Sequence, residues 1–354
     1  MRKIILLSVI LLVFLSSCTN SPQSSLPQNG TQVTPQEITE AEPVRLRIAQ
    51  QFGLGYAAMT IADELGFFEK YSPDLKVTWI QMSSDEAIFE AFNNGQIDAA
   101  VITIPAFLIG WDQGIVWKVA SGICVMPITM QTLDGGIETL ADFTQEDRIA
   151  VSALGSIEHV LLLMSLEKEF GDAAALNDNI LTMSHQEALT AMAQQRDITA
   201  HFSPPPYNLE ESKLPGVKSV VDGLSAFGAD FSFLVAAASN DLYENNPSAY
   251  AAFVMAIAEA TEFIHENPEE AATILAPSLG LDEATVLEYL TWPGMNYMTT
   301  PVGLMGFSDF MLKAGFITNS PDNLRDIAFS NVLSAIGENQ GGAGVLERLQ
   351  FRLD

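Results

Sequence analysis

This chain is poor in the residues that most chemistry and most polyanion binding require. Its 354 residues include only 2 Cys, 4 His and 16 Lys plus Arg, against 44 Asp plus Glu, for a formal net charge of −28. So acidic a surface repels phosphate backbones, which excludes nucleic acid as a partner. The histidines (His159, His185, His201, His265) and the two cysteines show no metal-ligand spacing. G-x-S-x-G, H-E-x-x-H and Walker sequences are all missing. We therefore expect a protein that is not an enzyme, with no catalytic residue, no metal and no cofactor. Long apolar runs are missing too: Ile4–Leu15 spans about a dozen residues, short of the ~20 that a transmembrane helix needs.

What is present begins with an export signal. Arg2 and Lys3 precede the apolar run, and Leu15-Ser16-Ser17-Cys18 follows it. This ending resembles the lipobox of bacterial lipoproteins, which implies cleavage after residue 17 and a lipid on the Cys18 sulfur. Residues 19–43 hold four Pro, four Gln, four Thr and three Ser. Such a segment buries too little apolar surface to offset its ordering entropy and reads as a flexible tether. The expected location is the outer face of a bacterial cytoplasmic membrane or the periplasm, with the lipid as the sole membrane contact. With Cys18 lipidated, Cys124 has no disulfide partner and reads as a small core residue.

From residue 44 onward, strand-like and helix-like segments alternate. Strands are expected at 44–49, 77–82, 98–103, 116–124, 148–152, 181–183, 198–202, 218–221 and 231–238. Between them the periodicity predicts helices to about Leu65, then over 85–93, 105–112, 156–170 and 186–195. Beyond Ala238 the pattern turns helical, with Phe253, Ile257, Ala260 and Ile264 striping one face of 249–265. The fold class is α/β, with two mainly parallel sheets flanked by helices and a helical C-terminal region.

In such sheets ligands bind where strands end and helices begin. Five turns therefore carry the candidate site residues: Gln50–Tyr56, Ser83-Ser84, Thr103–Ala106, Ser152–His159 and His201–Tyr207. None contains Lys or Arg. The first spells G-x-G-x-x-A through Gly53, Gly55 and Ala58, a spacing shared with dinucleotide loops, but an exported protein meets no supply of NAD. Ser84 and Ser156 stand at N-cap positions, leaving helix N–H groups available to an anion without a cationic side chain. The expected ligand-binding set is Gln50, Gln51, Gly55, Tyr56, Ser83, Thr103, Ser152, Ser156, His159, His201 and Tyr207. Asp85, Glu158 and Asp230 read as helix-dipole complements that could instead meet a cation.

Several segments carry a family resemblance: Ile61-Ala62-Asp63-Glu64-Leu65-Gly66-Phe67-Phe68-Glu69-Lys70, Gly95-Gln96-Ile97-Asp98, Arg148–Val151 leading to Gly155–His159, and Asn267–Ala272. The body is similar to substrate-binding proteins of ABC transporters in the sulfonate/nitrate/taurine group, of type II periplasmic binding-protein fold. Gly155–His159 resembles that group's Gly-Ser-Ser-Ser-His turn, matching at Ser156 and His159, with Ile157 and Glu158 in place of hydroxyls. Pro206 and Tyr207 match a Trp-x-Pro-Tyr turn whose Trp is replaced by Ser203 or Phe202.

The resemblance implies two lobes, 44–128 with 236–354 and 129–235, with hinges near Ile128–Gln131 and Phe233–Ala236. It implies a monomeric receptor that passes a small solute to an ABC permease and its ATPase. A sulfonate, taurine or nitrate is the implied solute. A thiamine-precursor pyrimidine or another small nitrogenous compound is the alternative, and an enzyme on the same fold is a further one.

Overall fold

The computed structural model describes residues 44–338, so Cys18, the leader and the tether lie outside the described residues. The described body belongs to one compact unit that starts at Pro43. Among the described residues no helix is long and apolar enough to cross a membrane.

Two sheets organise the body. In chain order the strands are β1 (Arg45–Gln50), β2 (Lys76–Gln81), β3 (Ala99–Thr103), β4 (Trp117–Val125), β5 (Thr129–Thr132), β6 (Ile149–Val151), β7 (Ile180–Thr182), β8 (Ala200–Ser203), β9 (Lys218–Asp222), β10 (Leu234–Ser239) and β11 (Asn296–Tyr297). The first sheet runs β11-β4-β10-β3-β1-β2 and the second β7-β6-β8-β5-β9. β10 lies antiparallel between β3 and β4, and β5 lies antiparallel between β8 and β9. The remaining long strands of each sheet share one direction, so the expected mainly parallel character holds.

The two reversed strands are the ones that receive the chain as it crosses between sheets. Leu234, at the start of β10, pairs with Thr103 at the end of β3. Likewise Thr129, at the start of β5, pairs with Ser203 and Asp222 at the ends of β8 and β9. Both crossings therefore sit at the carboxyl ends of the parallel strands, where helices start and ligands bind in open sheets. The sequence reading missed β5 and β11. β5 is four residues long with a mixed polar pattern, and β11 is two. The segments read as hinges, Ile128–Gln131 and Phe233–Ala236, supply the first residues of β5 and β10.

Helices start at the strand ends for local reasons. Ser84 Oγ accepts from Ala87 N at 3.3 Å, Thr103 Oγ1 from Ala106 N at 3.4 Å and Ser156 Oγ from His159 N at 3.4 Å. Each cap satisfies one of the orphan donors of its first turn, worth about 1 kcal/mol. The helices Asp85–Asn93, Ile104–Asp112 and Ile157–Phe170 follow from these caps. One buried cluster joins Ile102, Phe107 and Trp117 of the first sheet's side to Ile149, Val151 and Phe202 of the second. Pro247–Glu266 lays its apolar stripe, including Phe253, Ile257, Ala260 and Ile264, into a second cluster with Leu46, Ile48 and Met59.

Candidate ligand-binding cleft

A cavity of about 190 Å³ lies where the carboxyl ends of the two sheets meet. From the first sheet's side it is lined by the Gln51–Tyr56 turn, Asp85, Thr103 and Phe233. Ser152, Ser156–Glu158, His185, Pro204, Pro205 and Tyr207 line it from the second. No Lys or Arg is in the lining, while two carboxylates are.

The first turn explains the glycine pattern. Gly53 has φ 137°, a backbone region that only glycine enters without strain. At Gly55 a Cβ would stand 2.7 Å from Leu234 Cδ1 and 3.2 Å from Phe233 Cε1. The second glycine thus lets the turn press against the start of β10. That requirement comes from packing, and it accounts for the residue without a pyrophosphate. Cys124 completes the contact from below, its Sγ donating to the Gly55 carbonyl at 3.7 Å. Burial pushes this thiol well above its ordinary pKa, so it is a core residue, as expected.

On this side Gln51 Nε2 donates to Asp85 Oδ1 at 2.6 Å. Burial pushes the Asp85 carboxyl up to about 6, opposed by the Gln51 hydrogen bond and reinforced by Glu86 and Glu158. Tyr56 is buried, and burial drives its phenol far above the ordinary range, so it stays neutral.

The other side is wired more heavily. Glu158, 2 % exposed, folds back on the preceding turn. Its Oε1 accepts from Ser152 N at 3.0 Å and closely from the Ser152 hydroxyl. His185 Nε2 lies 3.5 Å from the same oxygen. His185 Nδ1 and His201 Nε2 are 2.9 Å apart and share one hydrogen. His201 Nδ1 then meets Glu211 Oε1 at 2.5 Å, and Ser203 Oγ donates to Glu211 Oε2 at 3.2 Å. Tyr207 packs over His185 with ring centroids 5.2 Å apart. Burial pulls His185 down to about 4, against the attraction of Glu158 and with help from His201. Burial alone would raise Glu158. His185 and the Ser152 hydroxyl and N–H outweigh it and hold the carboxyl below the ordinary glutamate range.

Of the expected residues, Gln51, Gly55, Tyr56, Thr103, Ser152, Ser156 and Tyr207 come together around the cavity. Gln50, Ser83, His159 and His201 are not in its lining. Gln50 belongs to β1, and its buried Oε1 has no partner among the described residues. Ser83 is exposed just before the cap. His201 stands behind His185, fully buried. His159 turns away: its Nδ1 accepts from Gly155 N at 2.9 Å and its ring meets the Phe316 ring edge-on at 5.3 Å. Burial holds it below the ordinary histidine range despite Glu158 beside it. Its Nδ1 lone pair is thus spent on the loop backbone. Among the described residues no group of three or more His, Cys, Asp or Glu could hold a metal.

Sequence reasoning set aside the three most informative groups. Asp85 and Glu158 occupy first-turn positions where acidic residues ordinarily complement the dipole. His185 opens the helix that follows β7, a strand-end turn of the same kind as the five singled out. Applying the strand-end rule to β7 as well would have found it.

Residues 55–271 match the sequence profile of the NMT1/THI5-like family. The putative aliphatic sulfonates-binding protein of Escherichia coli (strain K12) is 25% identical over 259 residues, covering 71% of this chain and 76% of its own. The crystal structure of the periplasmic aliphatic sulphonate binding protein SsuA from Escherichia coli superposes with a TM-score of 0.67 at 21% identity, over 81% of this chain and 92% of that one. A ligand-binding component of an ABC-type import system from Staphylococcus aureus gives 0.66 at 16% identity, over 82% and 98%. The two sheets with their crossing strands are therefore the periplasmic binding-protein fold. With the profile matching well over half of its length, the chain belongs to the NMT1/THI5-like family.

Proposed function

We propose that this protein is the extracytoplasmic solute-binding component of an ABC importer. It takes up one small polar solute between the lobes 44–128 with 236–354 and 129–235 and delivers it to a permease driven by an ATPase. One observation carries the reading: the cavity is built from strand-end turns of both sheets, beside both chain crossings. A solute held there touches both lobes, so its binding energy is available to favour closure. The relatives, named as binding proteins and as part of an import system, support the same role.

Two features bear on the solute class. Relatives named for sulfonates, and the capped helix starts at Thr103 and Ser156, support an anion held by backbone N–H groups. The lining of this chain, with Asp85 and Glu158 and without Lys or Arg, supports a solute that donates hydrogen bonds.

A thermal-shift screen of the full chain against sulfonates, nitrate, pyrimidines, amines and amidines tests the receptor reading. One class should raise the melting midpoint in proportion to its occupancy. A panel in which nothing shifts the midpoint overturns it. Lipid anchoring has its own check, since incorporation of a fatty-acid analogue should vanish in Cys18→Ala.

A further inference from the structure

The cavity holds more negative charge than its own residues neutralise. Asp85 Oδ1 is engaged by Gln51, while Oδ2 accepts no hydrogen bond among the described residues. Glu158 Oε1 takes both donors of Ser152, and its own backbone N–H also favours the ionised carboxylate. Both residues line the cavity, and each feels the other, because Glu158 contributes to the upward push on Asp85. The nearest basic group, His185, is neutral at physiological pH. Two carboxylates facing one small cavity repel each other, and a bound partner that supplies N–H donors and positive charge turns that repulsion into attraction. The remaining walls suit such a partner. Tyr56, Tyr207, Phe52 and Phe233 bring aromatic rings to the lining, and ring faces attract ammonium and amidinium groups. The volume of about 190 Å³ corresponds to roughly six waters, which limits the guest to a small molecule.

We propose that the solute carries a protonated nitrogen, an ammonium or amidinium, seated between the carboxylates of Asp85 and Glu158 and flanked by Tyr56 and Tyr207. The proposal rests on the receptor reading and narrows it. A sulfonate or nitrate in the same place would face two carboxylates with backbone N–H groups as its principal counterweight. The helix starts would then have to overcome a repulsion that an N–H cation turns into attraction.

The test uses the full-chain protein and probes matched in shape but not in charge. Benzamidinium and n-butylammonium are the cations, benzamide is the neutral isostere, and methanesulfonate and nitrate are the anions, with affinities read by calorimetry at neutral pH. At least one cation should bind at least about tenfold more tightly than benzamide and both anions. Asp85→Asn should weaken that cation by about tenfold or more while leaving benzamide nearly unchanged. Asp85 is half-buried and Asn keeps the acceptor for Gln51, so this variant should fold. Glu158→Gln serves as a second variant wherever its melting curve remains cooperative.

Tighter binding of benzamide, methanesulfonate or nitrate than of both cations overturns the proposal, as does an Asp85→Asn protein that binds the cation normally. So does the failure of both cations to bind at millimolar concentration. In that last case a midpoint shift with any other solute of the wider screen preserves the receptor reading. Silence across the whole screen removes both.

Discussion

The two flanks of the cleft are built on different plans. On the first sheet's side Asp85 is half-buried and held by a single side-chain bond from Gln51. On the second sheet's side one polar line runs from Ser152 through Glu158, His185, His201 and Glu211 to Ser203, hydrogen-bonded except for the 3.5 Å contact between Glu158 and His185. His201, Ser203 and Glu211 are fully buried. The single tether leaves Asp85 free to adjust to a guest, whereas the line fixes Glu158 and His185 before any guest arrives. Prefixed polar groups cost no reorganisation on binding, and a loosely held one supplies adaptability.

The largest expected effect comes from cutting the fixed line at its buried end. Glu211→Ala leaves His201 and Ser203 facing a cavity with no acceptor, and it should lower the unfolding free energy by about 3–5 kcal/mol in denaturant titration. Gln51→Ala, on the loosely held side, should cost under about 1.5 kcal/mol. Equal costs would show that the two flanks are equally organised.

Next in size is a titration that sets the flanks against each other. Asp85 has a folded-state value of about 6, above its ordinary 3.8, so the native protein binds its proton more tightly. Its ionisation therefore costs stability as pH rises from about 4 to about 6, a cost that persists above that. His185 is the reverse. Its folded value of about 4 lies below the ordinary 6.5, so stability is lost as pH falls from about 6.5 to about 4. For either group this amounts to at most about 3–3.5 kcal/mol. Asp85→Asn should accordingly be more stable than wild type at pH 7 by about 1–3 kcal/mol and equal to it near pH 4. His185→Gln should instead lose less stability than wild type on acidification. Parallel pH profiles for the wild type and both variants would refute these assignments.

The packing of the first turn gives a smaller effect. Gly55→Ala places a methyl against Leu234 Cδ1 and Phe233. Relief requires these side chains to shift, at about 1–3 kcal/mol. Because Phe233 also lines the cavity, solute affinity should fall with stability. A Gly55→Ala protein of unchanged midpoint and affinity would show that the close approach is dispensable.

Most of the fold could be read from local pattern, because local physics specifies it. Alternating apolar strands, the Ser84 and Ser156 caps and the stripe of Pro247–Glu266 each act over short stretches of chain. β5 escaped because Thr129–Thr132 is short and follows the crossing directly, and its pairing with β8 and β9 is set by distant segments. The site divides in the same way. The strand-end rule reached Gln51, Tyr56, Thr103, Ser152, Ser156 and Tyr207 from position alone. It reached His201 as well, but not the way Glu158, His185, His201 and Glu211 join into one line, because its members come from three separate helices and a strand. Nor could it tell that Glu158 turns back to Ser152, because an acidic residue in a first turn has the same sequence signature whether it faces solvent or a cavity.

His159 offers the finest test of where the cleft ends. The family turn matches at this position, and by sequence it belongs with the ligand contacts. In the structure its ring lies outside the lining, buried against Phe316, and its one acceptor is committed to Gly155 N–H at 2.9 Å. Gly155 has φ 88°, which glycine adopts without strain, and this hydrogen bond ties the loop that carries Ser152 and Ser156 to the helix that follows it. His159→Ala should thus cost about 1–3 kcal/mol of stability, through a lost buried hydrogen bond and a small void. Solute affinity should change by less than about threefold, because the ring contacts no part of the cavity. Tyr207→Ala should do the opposite, weakening binding by about tenfold with little loss of stability, since its ring is half-exposed at the cavity wall. Measuring both constants for both variants separates a residue that shapes the loop from one that meets the guest. If His159→Ala weakens binding as much as Tyr207→Ala while its midpoint holds, then the cleft reaches further into the second sheet's side than the present geometry places it.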